Sequence, residues 1–399
     1  MRILFLPLIT RGPAIGTITR CLAIADHLRM LGHEAFFLTN GEGAKNVAEA
    51  GFPFMEGVIP DPPRNHQQLR DLSDVAIHLN LTKEDYLRHS LAAERSAVDR
   101  FRPDVLFSEF KLTAPITAAS SLLPLVSTAC SPADPRFRSP LYPVQSLPAH
   151  EEAVVGFNKI LGEKGLEPIA DVSELFFGRS RVKIAPTTLE LEPLLADVPY
   201  LHYVGYLLYD RWELAPLPDG LLEECRGRNV VFAYFSSGEI GPREYTRVLP
   251  EAYDGTEFHA IVAVGDHPQL PELPPSTSNT TWVRFVPGRS IMTCSQALVF
   301  HGGQNTAMAS LIHGLPSLVF PGNDFERDFN ASALDSVGAG IKLSSEHFNP
   351  EDVLEATRQL REPAYRLAAK EYGLKAIRSG GAQRAADLVL EAAYGSEPV

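Results

Sequence analysis

The stretch VFHGGQNTAMASLIHG, residues 299–314, has the residue types and spacing of an anion-binding site. Gly302 and Gly303 permit a tight turn without a Cβ atom to block a ligand, and we expect a helix to begin at Asn305 or Thr306. The N–H groups and the dipole of a helix N-terminus attract negative charge. The Thr306 hydroxyl can cap this helix, and His301 can donate to a phosphate oxygen, with a positive charge when it is protonated. The alternative to an anion-binding site is an ordinary turn between a strand and a helix, in which the histidine makes its hydrogen bonds within the protein.

A cluster of charged side chains follows the next apolar run, in SLVFPGNDFERDFNA, residues 317–331. The cluster comes just past a predicted strand, so it should lie at the same sheet edge as His301. The cluster includes a carboxylate and a guanidinium side by side, Glu326 and Arg327. For these two residues the alternative is a solvated surface ion pair.

Strands, glycine-containing turns and helices alternate in the part of the chain that must position these residues. Short apolar runs predict buried strands of a parallel sheet covered by helices. The runs are 229–238, 259–265, 281–287, 297–303 and 317–322.

The first half of the chain has the same pattern. Strands are predicted at Ile3–Ile9, Ala35–Leu38, Val105–Phe107 and Leu125–Thr128. Apolar residues at helical spacing predict a helix from about Thr19 to Leu31. Two stretches rich in proline and polar residues, 56–74 and 131–149, predict long loops, which bind ligands when they follow parallel strands.

With 399 residues the chain is too long for one ordinary core. Because the strand–turn–helix pattern occurs twice, we predict an α/β protein with two Rossmann-like domains that face each other across a cleft. The predicted division is a first domain at 1–207, a linker at 208–228 and a second domain at 229–380. We expect the C-terminal helix, within 381–399, to pack back on the first domain.

The composition excludes several classes of function. The net charge of −13 disfavours nucleic acids and anionic lipids as partners. No apolar run approaches the roughly 20 residues of a membrane span, and the N-terminus is predicted to be a buried strand instead of a signal peptide. Cys21, Cys130, Cys225 and Cys294 have neither metal-binding nor disulfide spacing, so we expect reduced thiols in a cytoplasmic protein.

The combined pattern HGGQNT…HGLPSLVFPGNDFERDFNASALDSVGAGIKL resembles the donor-binding region of family 1 glycosyltransferases with the GT-B fold. This family includes bacterial enzymes that glycosylate antibiotics and other natural products. The resemblance is strong over 282–343 and extends to the whole chain in its two-domain layout. It implies a UDP- or dTDP-linked sugar as co-substrate, bound mainly by the second domain, with no other cofactor and no metal.

The resemblance also implies a set of donor-binding residues. His301, Gly303 and Thr306 match the family's pyrophosphate contacts, and Gly302 and Asn305 in the same stretch are further donor-binding candidates. Ser236, Ser237 and Gly238 match a second loop of the family that lies on the phosphate side of the donor. The segment from Trp282 to Val286 matches the one that lines the nucleobase, with Val286 near the base.

Glu326 and Arg327 take the place of an acidic residue and a glutamine that precede an Asn-Ala pair in the family. Here that pair is Asn330 and Ala331. The arginine departs from the family pattern, so the identity of the sugar stays open.

The catalytic position in the first domain departs from the family pattern as well. The first loop of the family carries a glycine followed by the catalytic histidine. In this sequence Gly16 matches the glycine, and Thr17 stands where the histidine would be. A threonine hydroxyl cannot take a proton from the acceptor at pH 7. Glu109 matches the acid that normally orients the base, and it can act directly or through a water. The alternative for Glu109 is an acid paired with Arg11 or Lys111.

Other sources for the base remain open. An acceptor-side loop carries His66, His78 and His89, or the acceptor is itself acidic, as a phenol or carboxylate is. The acceptor cleft is expected from loops around 10–17, 56–90 and 131–150. The acceptor-binding candidates are Arg11, Gly16, His66 and His78.

The function predicted from these observations is inverting transfer of a sugar from a UDP- or dTDP-sugar to a small, partly apolar natural-product acceptor. One alternative is a sugar-nucleotide epimerase or hydrolase on the same fold. Another is a non-catalytic auxiliary protein that binds the donor, because Thr17 replaces the usual histidine. The sugar, the acceptor and the oligomeric state stay open, with a homodimer among the options.

Overall fold

A computed structural model of the chain describes residues 1–10, 15–63, 69–139, 147–235, 239–265 and 269–395. The chain divides into two compact units. Unit 1 comprises Met1–Tyr209 and Ser379–Val399, and unit 2 comprises Asp210–Arg378.

Strands and helices alternate through unit 1. Its strands are β1 Arg2–Pro7, β2 Glu34–Thr39, β3 Phe54–Glu56, β4 Val105–Glu109, β5 Leu125–Thr128, β6 Val182–Ala185 and β7 Leu201–Tyr203. The helices before residue 209 are α1 Ile15–Met30, α2 Gly41–Glu49, α3 Leu72–His78, α4 Glu84–Phe101, α5 Ala114–Ser121, α6 Leu147–Glu163 and α7 Glu174–Phe177.

Unit 2 has the same alternation. Its strands are β8 Asn229–Tyr234, β9 Phe258–Ala263, β10 Thr280–Val283, β11 Ser295–Phe300, β12 Ser317–Val319 and β13 Gly340–Lys342. Its helices are α8 Asp210–Glu213, α9 Asp219–Cys225, α10 Pro242–Tyr253, α11 Gly288–Cys294, α12 Gln304–Ile312, α13 Phe325–Ser336, α14 Pro350–Gln359 and α15 Pro363–Arg378. The last helix, α16 Gly381–Tyr394, belongs to unit 1.

All of the described strands pair in parallel, in two sheets with the orders β3-β2-β1-β4-β5-β6-β7 and β10-β9-β8-β11-β12-β13. Helices cover both faces of such sheets, so the central strands are continuous buried apolar runs, as in the ILFLP segment of β1. The predicted α/β class with two Rossmann-like domains is therefore confirmed.

The strand order reverses once in each sheet, and the candidate site residues lie at the point of reversal. In unit 1 it lies between β1 and β4, where Pro7 pairs with Glu109. In unit 2 it lies between β8 and β11, where Tyr234 pairs with Phe300, the residue before His301. Ligands of open α/β sheets bind at this switch point, outside the carboxyl ends of the strands.

Several elements differ from the sequence predictions. The short strands β3, β6, β7 and β13 were not predicted. Strands β3, β7 and β13 are edge strands with partly exposed side chains, and a lysine interrupts the apolar run of β6, so none of them has the continuous apolar pattern that revealed the equally short β5. Helix α1 begins at Ile15 and not near Thr19, so Gly16 and Thr17 lie in its first turn and not in the preceding loop. Helices α8 and α9 lie in the stretch expected to be a linker.

Helix α16 packs against α1 and against β4, β5 and β6 of unit 1. The backbone N–H of Gly381 donates to the Val204 carbonyl at 2.7 Å, where the helix begins. The side chains of Leu388 and Val389 are fully buried. The end of the chain therefore contributes to the core of the first unit.

Candidate functional site

The candidate site of unit 2 is built on the turn between β11 and α12. His301 is the first residue after β11 and is 8% exposed. Its ring lies 6.0 Å from the ring of Tyr234, at the end of the neighbouring strand. The histidine is thus held at the switch point of the sheet, beside the end of β8.

His301 is neutral at physiological pH. Burial lowers its pKa to about 4, and the positive charge of Arg327 acts in the same direction. The sequence prediction allowed a protonated, positively charged His301. The structure corrects this, because an imidazolium here would have to form in a dry site next to another cation.

Helix α12 begins one or two residues earlier than predicted. Its first residue is Gln304, and its N-cap is Gly303, which has an extended backbone and no side chain to cap the helix. Thr306 is therefore the third residue of the helix and not its cap, and Asn305 is the second. A Cβ atom at position 303 would lie 3.3 Å from His301 Nε2, so glycine allows the helix to begin close to the histidine.

Gly302 allows the first helical turn of α13 to pack against the loop between β11 and α12. Its φ of +92° is a conformation that other residues rarely adopt, and a Cβ atom there would lie 2.8 Å from the Arg327 carbonyl oxygen. Asn330, one turn further along α13, donates its side-chain amide to the Gly302 carbonyl at 2.9 Å. The structure thus brings together the two stretches that the sequence placed at one sheet edge.

Asp324 holds the start of α13, and the sequence analysis did not single it out. Its Oδ1 accepts hydrogen bonds from the N–H groups of Glu326 and Arg327, both at 3.0 Å. Its Oδ2 lies 3.8 Å from Arg327 Nε. The signal for this cap is in the sequence, because an aspartate directly before a helical pattern is a favoured N-cap.

The segment predicted to contact the nucleobase has one buried and one exposed aromatic side chain. Trp282 is 5% exposed and packs on Tyr245 in the core of unit 2. Val286 is also 5% exposed, whereas Phe285 beside it is 75% exposed. Phe285 thus offers the accessible aromatic face of this segment. Sequence reasoning missed it because alternation alone does not say which of several aromatics is left uncovered.

Five of the predicted site residues lie outside the described part of the chain. Ser236, Ser237 and Gly238 lie outside the described residues, as do Arg11 and His66. His78 is half-buried at the end of α3, and His89 is exposed on α4.

The candidate catalytic acid of unit 1, Glu109, is fully buried at the end of β4. Its Oε1 accepts a hydrogen bond from Arg20 Nε at 2.7 Å, and Arg20 Nη2 lies 2.5 Å from the same oxygen. Burial raises the pKa of Glu109, while Arg20 and the Thr128 hydroxyl oppose this increase. The partner that the structure shows for Glu109 is Arg20 on α1, whereas Lys111 contacts other residues and Arg11 lies outside the described residues.

Lys111 belongs to a separate buried polar cluster. Its Nζ lies 3.0 Å from the Tyr86 hydroxyl and 3.8 Å from Glu94 Oε1. Glu94 also accepts hydrogen bonds from the hydroxyls of Thr113 and Thr117. These contacts join α4 to α5 and to the end of β4.

His150 forms a three-residue ionic cluster that the sequence analysis did not predict. Its Nε2 lies 2.9 Å from Asp71, the N-cap of α3, and its Nδ1 lies 2.8 Å from Asp171. Burial by itself lowers the pKa of His150, but the two carboxylates outweigh it and the pKa is raised. The cluster ties α6 to α3 and to the turn before α7.

The described residues contain no group of three or more His, Cys, Asp or Glu side chains placed to hold a metal ion. Among the same residues, no helix has the length and apolar character needed to cross a membrane. Cys21, Cys130, Cys225 and Cys294 are free thiols.

Comparison with known proteins agrees with the geometry of unit 2. Residues 254–379 match the family described as "Erythromycin biosynthesis protein CIII-like, C-terminal domain". The chain is 27% identical over 387 residues to the elloramycin glycosyltransferase ElmGT of Streptomyces olivaceus, and the match covers 90% of each chain.

Solved structures share the fold at low sequence identity. The glycosyltransferase of kitacinnamycin superposes with a TM-score of 0.77 at 19% identity and covers 98% of each chain. The glycosyltransferase VinC in complex with dTDP superposes with a TM-score of 0.72 at 15% identity, over 99% of this chain and 100% of VinC. At these identities the likeness establishes the fold.

Proposed function

We propose that this chain, a glycosyltransferase of the GT-B fold similar to the bacterial enzymes of antibiotic biosynthesis, moves a sugar from a UDP- or dTDP-sugar to a small, partly apolar natural product with inversion at the sugar carbon. The observation that carries the proposal is the position of the start of α12, directly beside His301 and at the switch point of the sheet, within the residues 254–379 that match the EryCIII-like family. ElmGT, named for transfer to an antibiotic, and VinC, solved with dTDP, support the substrate classes.

Unit 2 binds the donor in this proposal. The N–H groups at the start of α12 face the diphosphate, and their partial positive charge stabilises the charge that builds up on the leaving group. Neutral His301 donates a single hydrogen bond to the diphosphate. Glu326 is exposed and accepts from sugar hydroxyls, and Phe285 stacks on the base.

Unit 1 binds the acceptor. Glu109 has no exposed surface and its Oε1 is bonded to a guanidinium, so we assign it to positioning α1 through Arg20 instead of taking the proton. Thr17 lies one turn before Arg20 on α1 and cannot serve as the base. We therefore expect an acceptor whose attacking oxygen is acidic, as in a phenol or a carboxylic acid, or a base from the acceptor-side histidines. Of the two that the structure describes, His78 is half-buried and His89 is exposed.

The comparisons do not support the two alternatives. The relatives described above are named as transferases, not as epimerases, hydrolases or auxiliary proteins. We also propose that the enzyme works in the cytoplasm and without a metal ion. A homodimer remains one option for its assembly.

Ligand-induced stabilisation tests the donor site directly. A UDP- or dTDP-sugar at about 100 times its Kd should raise the free energy of unfolding by about 2.7 kcal/mol, measured by denaturant unfolding with and without ligand. Turnover is then assayed with a phenol and an aliphatic alcohol as acceptors, and the anomer of the product is read by NMR. Absence of stabilisation by every UDP- and dTDP-sugar would exclude the proposed function.

The role of Glu109 is tested by comparing Glu109→Gln, Arg20→Met and the double variant. If Glu109 only positions α1 through Arg20, the two single variants lower kcat by similar factors and the double variant adds little. If Glu109 takes the proton, Glu109→Gln loses far more activity than Arg20→Met while donor binding stays intact.

A further inference from the structure

Helices α3 and α6 support the switch point of unit 1, the unit that binds the acceptor in the proposed function. Ile77 of α3 and Phe157 of α6 belong to one buried apolar cluster. Leu8, which follows β1, and Phe110, which follows β4, pack against this cluster and are only partly buried. Ligands of parallel sheets bind at this point, so an apolar acceptor there meets side chains whose positions depend on α3 and α6.

His150 joins the start of α6 to the start of α3. It is the fourth residue of α6, and its Nε2 lies 2.9 Å from Oδ2 of Asp71, the N-cap of α3. Its Nδ1 lies 2.8 Å from Oδ2 of Asp171, in the turn before α7. A neutral imidazole has only one N–H group, so two short contacts with carboxylates require a proton on each nitrogen. The geometry therefore makes His150 an imidazolium.

The two carboxylates are fixed through their other oxygen atoms. Asp71 Oδ1 accepts the backbone N–H of Asp74 at 3.1 Å, and Asp171 Oδ1 accepts the backbone N–H of Ser173 at 2.8 Å. The side chains of His150, Asp71 and Asp171 are 14%, 14% and 19% exposed, so water screens their attraction only in part. These three residues, the His150 cluster, thus hold α6, α3 and the turn before α7 in one arrangement.

Asp71 and Asp171 set the charge of His150. Burial by itself lowers the pKa of His150, but Asp71 and then Asp171 raise it above its ordinary value. Glu151 and Glu152, the next residues of α6, are exposed. Other charged side chains on α6 and on the elements packed against it have partners of their own, and His78 lies at the opposite end of α3: Asp74 pairs with Arg70, Glu84 with Lys159 and Arg88 with Glu163, while Glu174 accepts backbone N–H groups.

We propose that His150 is a positioning residue for the acceptor, because as an imidazolium it ties α3, α6 and the turn before α7 into one support for Leu8 and Phe110 at the switch point. The inference rests on the proposed function and adds to it the group that keeps the acceptor side of unit 1 in place. His150 does not take the proton of the acceptor, because both of its nitrogen atoms are bonded to carboxylates.

This role makes acceptor binding depend on pH. When His150 loses a proton at alkaline pH, one of its two ion pairs is lost. Because the pKa of His150 is raised above 6.5 in the folded chain, the cluster is fully effective below pH 6.5 and weakens as the pH rises through the folded pKa. Acceptor binding should weaken over the same interval.

The test is the affinity for 2-naphthol, a small and largely apolar phenol, measured by fluorescence titration at pH 6, 7, 8 and 8.5. Its hydroxyl stays mostly protonated over this range. Loss of a charge-assisted contact should weaken binding about 5- to 10-fold in His150→Gln at pH 6, and the difference from wild type should narrow as the pH rises. Asp171→Asn removes one carboxylate and lowers the pKa of His150, so its affinity should begin to fall at a lower pH than that of wild type.

His347→Gln is the matched control, because His347 is also paired with an aspartate, Asp352 at 2.7 Å, but lies in unit 2. It should bind 2-naphthol with the affinity of wild type at every pH. Should His150→Gln fail to fold, the shift expected in Asp171→Asn carries the test.

The outcomes separate the role of His150 from the proposed function. A difference between wild type and His150→Gln that stays constant to pH 8.5 would assign His150 a structural role and overturn the inference. If a UDP- or dTDP-sugar stabilises wild type, but 2-naphthol binds equally well to wild type and His150→Gln at pH 6 or binds to neither, the role of His150 is wrong and the proposed function stands. If no UDP- or dTDP-sugar stabilises wild type, the proposed function itself fails.

Discussion

At the scale of single residues, burial decides which side chains carry charge. His301 and Glu109 both follow or end a central strand, and each is shifted toward its neutral form by the loss of water. Each also has an arginine for a neighbour, Arg327 for His301 and Arg20 for Glu109. The arginines keep their charge at any pH a cell reaches, so each places a permanent positive charge beside a buried group.

The depressed pKa of His301 predicts a pH dependence of stability. Between pH 6.5 and pH 4 the unfolded chain binds a proton at this histidine that the folded chain does not bind. The free energy of unfolding contributed by His301 is therefore fully present above pH 6.5 and falls as the pH falls, by about 3 kcal/mol near pH 4. Urea unfolding of wild type and His301→Gln at pH 7, 6, 5 and 4 measures this difference.

The variant His301→Gln cannot take up that proton, so the stability of wild type relative to the variant should decline steadily over this range. A constant difference from pH 7 to pH 4 would mean that His301 is not held neutral by the fold.

At the scale of elements, the close approach of α13 to the turn after β11 determines the donor site. Glycine at 302 allows this approach, and the Asp324 cap and the Asn330 hydrogen bond hold it. On the other side of α12, Gly373 lets α15 approach, because a Cβ atom there would lie 1.9 Å from the Leu311 carbonyl oxygen. Helix α12 is therefore held by α13 at the turn before its first residue and by α15 near its last turn, in packing that only glycine permits.

Gly302→Ala should weaken both the fold and donor binding. The added Cβ atom is strained at the positive φ and would lie 2.8 Å from the Arg327 carbonyl oxygen, so it forces α13 away from the turn. We expect the free energy of unfolding to fall by about 2–4 kcal/mol. Denaturant unfolding and diphosphate binding measure the two effects.

Gly162→Ala is the matched control, because a Cβ atom there meets nothing within 4 Å and the residue lies inside α6. It should be neutral or slightly stabilising. Equal behaviour of the two variants would contradict the close packing of α13 on the turn.

At the scale of the whole molecule, the end of the chain returns to the first unit. Unit 2 is one continuous segment, Asp210–Arg378, whereas unit 1 needs α16 from beyond it. Both tryptophans, Trp212 and Trp282, lie in unit 2, so tryptophan fluorescence reports on that unit alone. Far-ultraviolet circular dichroism reports on the helices of both units.

Leu388→Ala should destabilise unit 1 selectively. Its side chain is fully buried on α16, so truncation should cost about 2–5 kcal/mol. We expect part of the dichroism signal to be lost at lower denaturant concentration while the fluorescence transition keeps its midpoint. Leu374→Ala is the control, because Leu374 is 51% exposed on α15 and should change stability by less than about 0.5 kcal/mol. A shift of the fluorescence midpoint in Leu388→Ala would contradict the assignment of α16 to unit 1.

The local pattern of residues was enough to determine the α/β class, the long central strands and the turn from β11 into a helix. Apolar runs, helical spacing and paired glycines are signals carried by neighbours in the chain, and they predicted β5 to the residue. The same local signals placed Glu326 and Arg327 at the sheet edge that holds His301, and α13 does pack on that turn.

Only the tertiary structure decided which charges face each other. Glu109 pairs with Arg20, 89 residues away, although Lys111 is two residues from it in the chain. The neutrality of His301 follows from burial beside Arg327, and the exposure of Phe285 beside the buried Trp282 follows from packing of β10. Burial and electrostatic pairing depend on residues that are distant in the chain. A pattern formed by neighbouring residues therefore cannot predict them.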